Sequence, residues 1–482
     1  MNTLLLQPTD VLFFRDGRPM GGSLGGHGAA WPLPTVASAA LHAALHRADL
    51  EKASGARLHG HDHHRNDGER INDVRKFGSL VSAGPFPVIK DKDGKEAWLF
   101  PRPLDAGIDK DENDSTQPTL LPLAEGFTQE HSSLPPPLKL AIANTCGPTK
   151  KSPSPWWNAA AWETYLGTVE VDAKPAYHED SAFADTEFSY GIGMNPDTGT
   201  QDGERFYSAH YLRLKPEGRL GLLAESQDKI NGDPNDKRDL IISLFPNNGS
   251  QTPVIVGGQQ RRCTVESHHH APVPLPKGKT DGFESKDAGE KSTWLVKWVL
   301  LTPAIFPVIP DKDKNGNPMN PHPGGWLPNW VFLDWDSDKG EAREHADNGR
   351  VMLKLGDTAR REREGRETWR RRVAALPNIT ATLVAALTGK PIPVTGYALP
   401  NQDVVEIQGG AKHTHLAVPA GSVYYFTCTT KDAAEKLAAA LNWHGKEDFT
   451  TIKNRRSTLM GEKGFGLGVC GTWQFHDGQI PT

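Results

Sequence analysis

The sequence predicts an α+β protein of two halves, each a sandwich of a sheet and helices. Three observations lead there. Short apolar runs of strand character outnumber the helix-like segments. Glycine (48) and proline (38) are abundant, which favours strands and long loops over a helix bundle. Each half sets a glycine-rich basic loop beside a strand: Asp10 to Pro19 with the glycines after it, and Gly461 to Trp473. With 482 residues the chain can bury two cores.

The elements follow in order. Asn2 to Gln7 reads as a short buried strand stopped by Pro8. Arg15-Asp-Gly-Arg18-Pro is a turn, and Gly21 to Gly28 is a loop with five glycines in eight positions. Thr35 is placed to cap a helix running through Leu41, Leu45 and Leu50. Residues 52–75 are polar and His-rich, an exposed insertion. A hairpin follows from Gly84-Pro-Phe to Trp98-Leu-Phe-Pro-Arg-Pro-Leu, with Lys90 to Lys95 as its charged turn. Residues 105–155 have little periodicity, and Trp156 to Gly167 reads as a short helix. Phe188 to Met194 and Phe206 to Leu214 flank the turn-rich 195–203 and give the best long-hairpin signal in the chain.

Residues 271–292, without apolar periodicity, read as a linker between domains 1–270 and 293–482. Beyond it, Trp294 to Thr302 reads as a strand, Thr358 to Val373 as a charged helix and Ser422 to Thr427 as a strand. Ala433 to Leu441 reads as a helix, and Gly464 to Trp473 as a glycine-rich turn into a last strand.

Composition narrows the function. The net charge of −5 counts against a free-standing nucleic-acid binder, though not against a subunit that presents one basic groove. Cys146, Cys263, Cys428 and Cys470 are far apart and form no CxxC pair, so neither a zinc site nor a disulfide framework is expected from them. Met1 to Gln7 is too short for a secretory leader, and Lys297, Pro303 and Pro307 break the longest apolar run, so no membrane span is expected and the cytoplasm is the default compartment. His59, His61, His63 and His64, and again His268 to His270, read as solvated loops. His42 and His46 share a helix face, but Ala43 stands where an HExxH motif needs Glu. Ala359 to Arg372 holds seven Arg against three Glu, partly self-paired at i,i+4.

Four basic turns carry the binding chemistry. Arg15 and Arg18 precede Gly21, Gly22 and His27; Arg75-Lys76 closes the His-rich insertion; Arg261 and Arg262 follow Gly257-Gly-Gln-Gln; and Lys463 and Phe465 alternate with Gly464 and Gly466. Glycines let a ligand's backbone come close, cations meet phosphate, and Phe offers a stacking face. Each turn alone also reads as an ordinary surface turn or bulge. Together they fit an extended strand of nucleic acid better than a small metabolite. A Rossmann reading fails, because the terminal glycines run into a strand rather than open a helix. No GxSxG, HExxH, P-loop or paired-carboxylate motif is present, and no cofactor is expected. A metal-free ribonuclease would need little beyond a histidine, for which His27 is the candidate.

At these residues the chain resembles a known family. Val11-Leu-Phe-Phe-Arg-Asp-Gly-Arg-Pro, Gly84-Pro-Phe with Phe100-Pro-Arg-Pro-Leu, and Gly257-Gly-Gln-Gln-Arg come first. Leu300-Leu-Thr-Pro-Ala-Ile-Phe with Gly325-Trp-Leu-Pro, Val418-Pro-Ala-Gly-Ser-Val-Tyr-Tyr-Phe, and Lys463-Gly-Phe-Gly-Leu-Gly follow. In that order they are similar to the third subunits of the Cmr complex, RAMP-superfamily proteins of type III-B CRISPR effectors. The resemblance implies two ferredoxin-like (RRM-like) domains with large loop insertions and a β-hairpin thumb at 188–214. It implies a non-catalytic subunit that binds the 5′ repeat-derived tag of the crRNA. The implied partners are the large polymerase-like subunit, a backbone RAMP subunit and, indirectly, the target RNA. The chain departs from the family at Ser189-Tyr190, where a basic residue is usual, and at Gln259-Gln260, where an acidic one is common. The alternatives are a metal-independent crRNA-processing endoribonuclease using His27, and a protein-interaction scaffold that does not touch RNA.

Overall fold

The structure, a computed structural model, describes residues 1–14, 31–48, 80–107, 120–123, 134–143, 152–168, 174–195, 197–229, 237–246, 250–269, 272–288, 291–313, 316–356, 358, 364–398 and 410–476. It is a mixed α/β protein whose strands pair antiparallel.

A nine-stranded sheet organises the first half. Across it lie Ser250–Ile255, Arg262–His268, Asn2–Pro8, Gly218–Lys229, Leu80–Lys90, Glu96–Pro101, Trp156–Asn158 and Tyr177–His178, with Lys237–Asp239 paired to Gly218–Lys229. The hairpin expected from Gly84 onward is present, with Val88 opposite Trp98. A smaller sheet of Leu12–Phe13, Gln201–Leu214 and Ala184–Met194 contains the expected long hairpin, with Phe188 opposite His210 and Tyr190 opposite Ser208. In the second half Ser285–Ala288 and Gly468–Thr472 pair along Lys291–Leu300, followed by Val423–Cys428 and then Ala381–Leu387.

Strand period two decides how these sheets stack. In Asn2–Pro8, Leu4 and Leu6 face one core with Leu41 and Leu45 of helix Pro34–Arg47, whereas Leu5 faces another. In Lys291–Leu300, Leu295 and Val299 join that second core, and Val296, Trp298 and Leu300 turn to a third with Leu437 and Leu441 of helix Lys431–Leu441. The layers therefore run helix, sheet, sheet, helix, and the two halves share the middle core. Trp98, Trp157, Trp162, Trp443 and Trp473 fill it.

Several elements differ from expectation. The first helix begins at Pro34, so Thr35 lies inside its first turn; proline suits that place because its missing N–H would be unbonded there anyway. Leu50 lies outside the described residues. Trp156–Asn158 is a short strand between Glu96–Pro101 and Tyr177–His178 rather than helix, because Asn158 stops it and caps the following helix, Ala159–Leu166, by accepting from Ala161 N–H at 2.8 Å. The charged helix spans Arg366–Ala375 with no residue buried, and Arg371 pairs with Glu367 at 2.7 Å. Its expected first turns, from 359 to 363, lie outside the described residues.

Residues 272–288, expected within a linker, pack into the fold. Val273, Leu275 and Phe283 are buried. Pro276 O accepts from Trp443 Nε1, Gly278 N–H donates to His444 Nε2 at 3.0 Å, and Lys279 N–H donates to Cys470 O. Cys263, Cys428 and Cys470 are buried and free, and burial pushes the Cys263 and Cys428 thiols up to about 12.

One ion pair lies inside the middle core. Lys297 and Asp105 are 4% and 1% exposed, and Nζ donates to Oδ2 at 3.3 Å. Tyr165 and Tyr425 donate to the same carboxylate at 2.5 and 3.0 Å, and Nζ stands 3.6 Å from the centre of the Tyr165 ring. Burial drives the Lys297 pKa down, and Asp105 opposes that shift. Replacing Lys297 by Met strands the carboxylate. It is expected to cost about 3–5 kcal/mol, read from the denaturation midpoint, and Lys297→Met with Asp105→Leu should recover much of it.

His444 is fully buried, and burial, helped by the Lys277 charge, lowers its pKa to about 4. The folded state therefore holds it neutral while the unfolded chain protonates at the ordinary 6.5. Its contribution is complete above about pH 6.5 and is lost as pH falls towards 4. His444→Gln should flatten stability across that window, measured by denaturant titration at each pH.

Candidate nucleic-acid interface

The chain arrives at the site through Leu12–Phe13, which pairs with the base of the long hairpin, Phe13 opposite Tyr211. Turn 257–260 packs against it: Gly258 N–H donates to Phe13 O at 2.9 Å. A Cβ on Gly257, at φ +75°, would sit 2.5 Å from that same oxygen, so glycine is required there. Gln259 and Gln260 follow with φ of 57° and 52°, left-handed backbone that glutamine rarely adopts. The turn is thereby pinned against Phe13 and Phe14.

Asp10 ties this corner together. It accepts from Arg213 at 3.2 Å and from Arg261 at 3.1 Å, while Arg213 also binds Glu187 across the hairpin. A hydrogen bond from the Val11 backbone and the two guanidiniums hold the Asp10 carboxyl below its usual range. Arg261 is further fixed by Gln259 Oε1 at 3.0 Å and lies 5.6 Å over the Tyr211 ring. Arg262 is exposed, at the start of its strand. The hairpin projects from this corner with Phe188, Tyr190, Ile192 and Met194 exposed along one face of one strand.

Beside the corner opens a cleft of about 720 Å³ between the two halves. Thr35, Ala39, Ala43 and Arg47, four apart on one helix face, make one wall. Gly257 and Ile255 line it from the basic turn. Lys412, His413 and His415 form the opposite wall, on the hairpin that pairs Ile392–Val394 with His415–Ala417, and Lys463 lies at its end. Among its described lining residues the cleft carries three cations, two histidines and no carboxylate.

The structure thus brings together two of the four basic turns, at Gly257 and Lys463. Arg15, Arg18, Gly21, Gly22, His27, Arg75 and Lys76 lie outside the described residues. The terminal loop differs from expectation. Phe465 offers no stacking face: it is fully buried with Ile305, Val394 and Ala417. The loop amides do not await a phosphate either. Gly464 N–H donates to Gly461 O, Gly466 N–H to Pro303 O, and Leu467 N–H to Thr302 Oγ1. Gly464 and Gly466 serve close packing instead. Added Cβ atoms would lie 2.8 Å from Ala83 Cα and 2.0 Å from Ser457 N. The second histidine run is not a solvated loop: His268 ends a strand, and His269 bonds Asn2 Oδ1 at 2.9 Å and Phe245 O at 2.6 Å. His270 lies outside the described residues.

Arg47, Lys412, His413, His415, Asp10 and Arg213 were not anticipated as site residues. The four-residue spacing of small side chains ending in Arg47 was the available signal for one wall. Gly466→Ala is expected to destabilise by more than roughly 2 kcal/mol, since backbone must move. Lys463→Ala should leave the melting temperature within about 2 °C of the parent. Thermal denaturation of the two variants separates packing from surface chemistry in this loop.

The family described as "CRISPR-associated protein (Cas_Cmr3)" matches residues 4–473. Nothing among the curated proteins matches the chain. A chain in "Cryo-EM structure of the Type III-B Cmr-beta bound to cognate target RNA" is 14% identical, over 88% of this chain and 86% of that one, with a TM-score of 0.34. A chain in "Crystal structure of Csm3-Csm4 subcomplex in the type III-A CRISPR-Cas interference complex" is 11% identical, over 88% and 92%, with a TM-score of 0.30. Likenesses this distant carry no weight for the role of any residue.

Proposed function

The chain belongs to the Cas_Cmr3 family of CRISPR-associated proteins, and on that footing we propose that it is a non-catalytic subunit of a type III-B RNA-guided effector. It holds the 5′ repeat-derived tag of the guide RNA in the cleft between helix Pro34–Arg47 and the 392–417 hairpin. It also bridges the large polymerase-like subunit to the RAMP backbone. The observation that carries the reading is the cleft itself: Arg47, Lys412 and Lys463 surround it, with no carboxylate among its described lining residues. Single-stranded RNA is held by such cationic tracks, with bases splayed against neighbouring side chains. Phe14, buried in the first core, and Trp31, which donates to Pro85 O at 2.9 Å, are the described residues that flank the segment with Arg15, Arg18 and the glycines.

Strand order supports a ferredoxin-like reading of each half. The strands Asn2–Pro8, Leu80–Lys90, Gly218–Lys229 and Arg262–His268 stand in the spatial order fourth, first, third, second. Lys291–Leu300, Ala381–Leu387, Val423–Cys428 and Gly468–Thr472 repeat it. The hairpin of Ala184–Met194 and Gln201–Leu214 is the thumb directed at the guide–target duplex.

The test is tag-RNA binding by Lys412→Ala with Lys463→Ala, and by Arg15→Ala with Arg18→Ala. Each pair should weaken binding by roughly tenfold or more at moderate salt. Each should also lower the slope of log K against log salt by about 1.4, as two lost single-strand phosphate contacts require. Unchanged affinity in both would remove RNA from the cleft. Specific cleavage of repeat RNA in EDTA, abolished by His27→Ala, would make the protein a processing nuclease instead.

A further inference from the structure

Away from the cleft, the first sheet gathers three metal-ligating side chains. Glu96 stands on Glu96–Pro101, and Glu266 and His268 on Arg262–His268, with three strands between. Such strands meet through side chains only where the sheet curls. Here Trp98 lies over Gly221, where a Cβ would fall 2.5 Å from the indole. The ligand atoms of the three residues lie within 4.8 Å of one another.

The imidazole makes this more than a pair of carboxylates. His268 Nε2 stands 3.3 Å from Glu96 Oε1 and 3.5 Å from Glu266 Oε1. The ring is 43% exposed, yet this nitrogen is shut from solvent and makes no hydrogen bond of good geometry among the described residues. Two carboxylate oxygens and one ring nitrogen at these separations match the edges of a tetrahedron of ligands around one ion, about 3.3 Å for bonds near 2.0 Å, and two carboxylates call for balancing positive charge. Lys90 supplies only part of that charge, donating to Glu266 at 2.6 and 2.8 Å. Trp98 Nε1 donates to Glu96 Oε2 at 3.3 Å and leaves Oε1 directed at the histidine. This is the support that orients a ligating carboxylate.

We propose that Glu96, Glu266 and His268 form a divalent transition-metal site. Zinc is the best match to one imidazole, two carboxylates and an open fourth position. Lys90 is the resident competitor, displaced when the ion enters.

The test uses the full-length, tag-free chain carrying His59→Ser, His61→Ser, His63→Ser and His64→Ser, which removes the His-rich insertion as a rival chelator. Zinc is titrated by calorimetry and cobalt(II) by its visible absorption. One ion per chain is expected. Glu96→Gln and His268→Ala should each weaken binding more than a hundredfold, and Trp98→Phe by up to about tenfold. Lys90→Met should tighten it, an outcome that misfolding cannot imitate. Absence of binding, or binding indifferent to Glu96→Gln, His268→Ala and Lys90→Met alike, overturns the proposal.

Discussion

The buried contact between Lys297 and Asp105 is the constraint on which the two halves depend. Lys297 points into the core shared by both sheets, opposite Tyr425 on one neighbouring strand and Gly471 on the other. A charge there is tolerable only with its counter-ion and with that counter-ion's remaining lone pairs occupied. Asp105, from the first half, meets the first need, and Tyr165 and Tyr425, one from each half, meet the second. Hydrophobic area would hold the sheets together in many offsets. The ion pair permits few, because any slip separates opposite charges in a dry interior.

That fixed offset matters for the cleft, which exists only between the halves. Its helix wall and basic turn come from the first, and its opposing hairpin and Lys463 from the second. The glycine loop takes part in the same way. Gly464 and Gly466 let it lie against Ala83 and Ser457 at distances no side chain permits, which sets Lys463 at the cleft end. The loop's contribution is thus positional: it carries Lys463 to the lining of the cleft.

Much of the fold was legible because it rests on local periodicity. The opening strand, the long hairpin around 195–203 and the helix at 431–441 each carry their own pattern. The packing of residues 272–288 was not legible because Val273, Leu275 and Phe283 are interrupted by Pro, Lys and Gly and show no period, although each is buried. Lys297 read as a break in an apolar run, since nothing local announces a counter-ion 192 positions away. Phe465 read as a stacking face because glycine neighbours suggest an open loop, when here they serve dense packing. The cleft's far wall, Lys412 to His415, gains meaning only beside residues 35–47, and no window of sequence contains both.

The place of the opening strand has a consequence for synthesis. Asn2–Pro8 lies inside its sheet, with Leu4 opposite Leu222 on one side and Ser267 on the other. At ribosomal speed the interval between making Leu4 and making Ser267 is on the order of tens of seconds. Until Gly218–Lys229 is made the leucine-rich strand has neither neighbour, and until Arg262–His268 is made it has at most one, so an unpaired edge can template pairing with other chains. Closing so long a loop is also entropically slow. Strand order alone thus leaves the opening strand waiting for its partners for as long as the rest of its sheet takes to make.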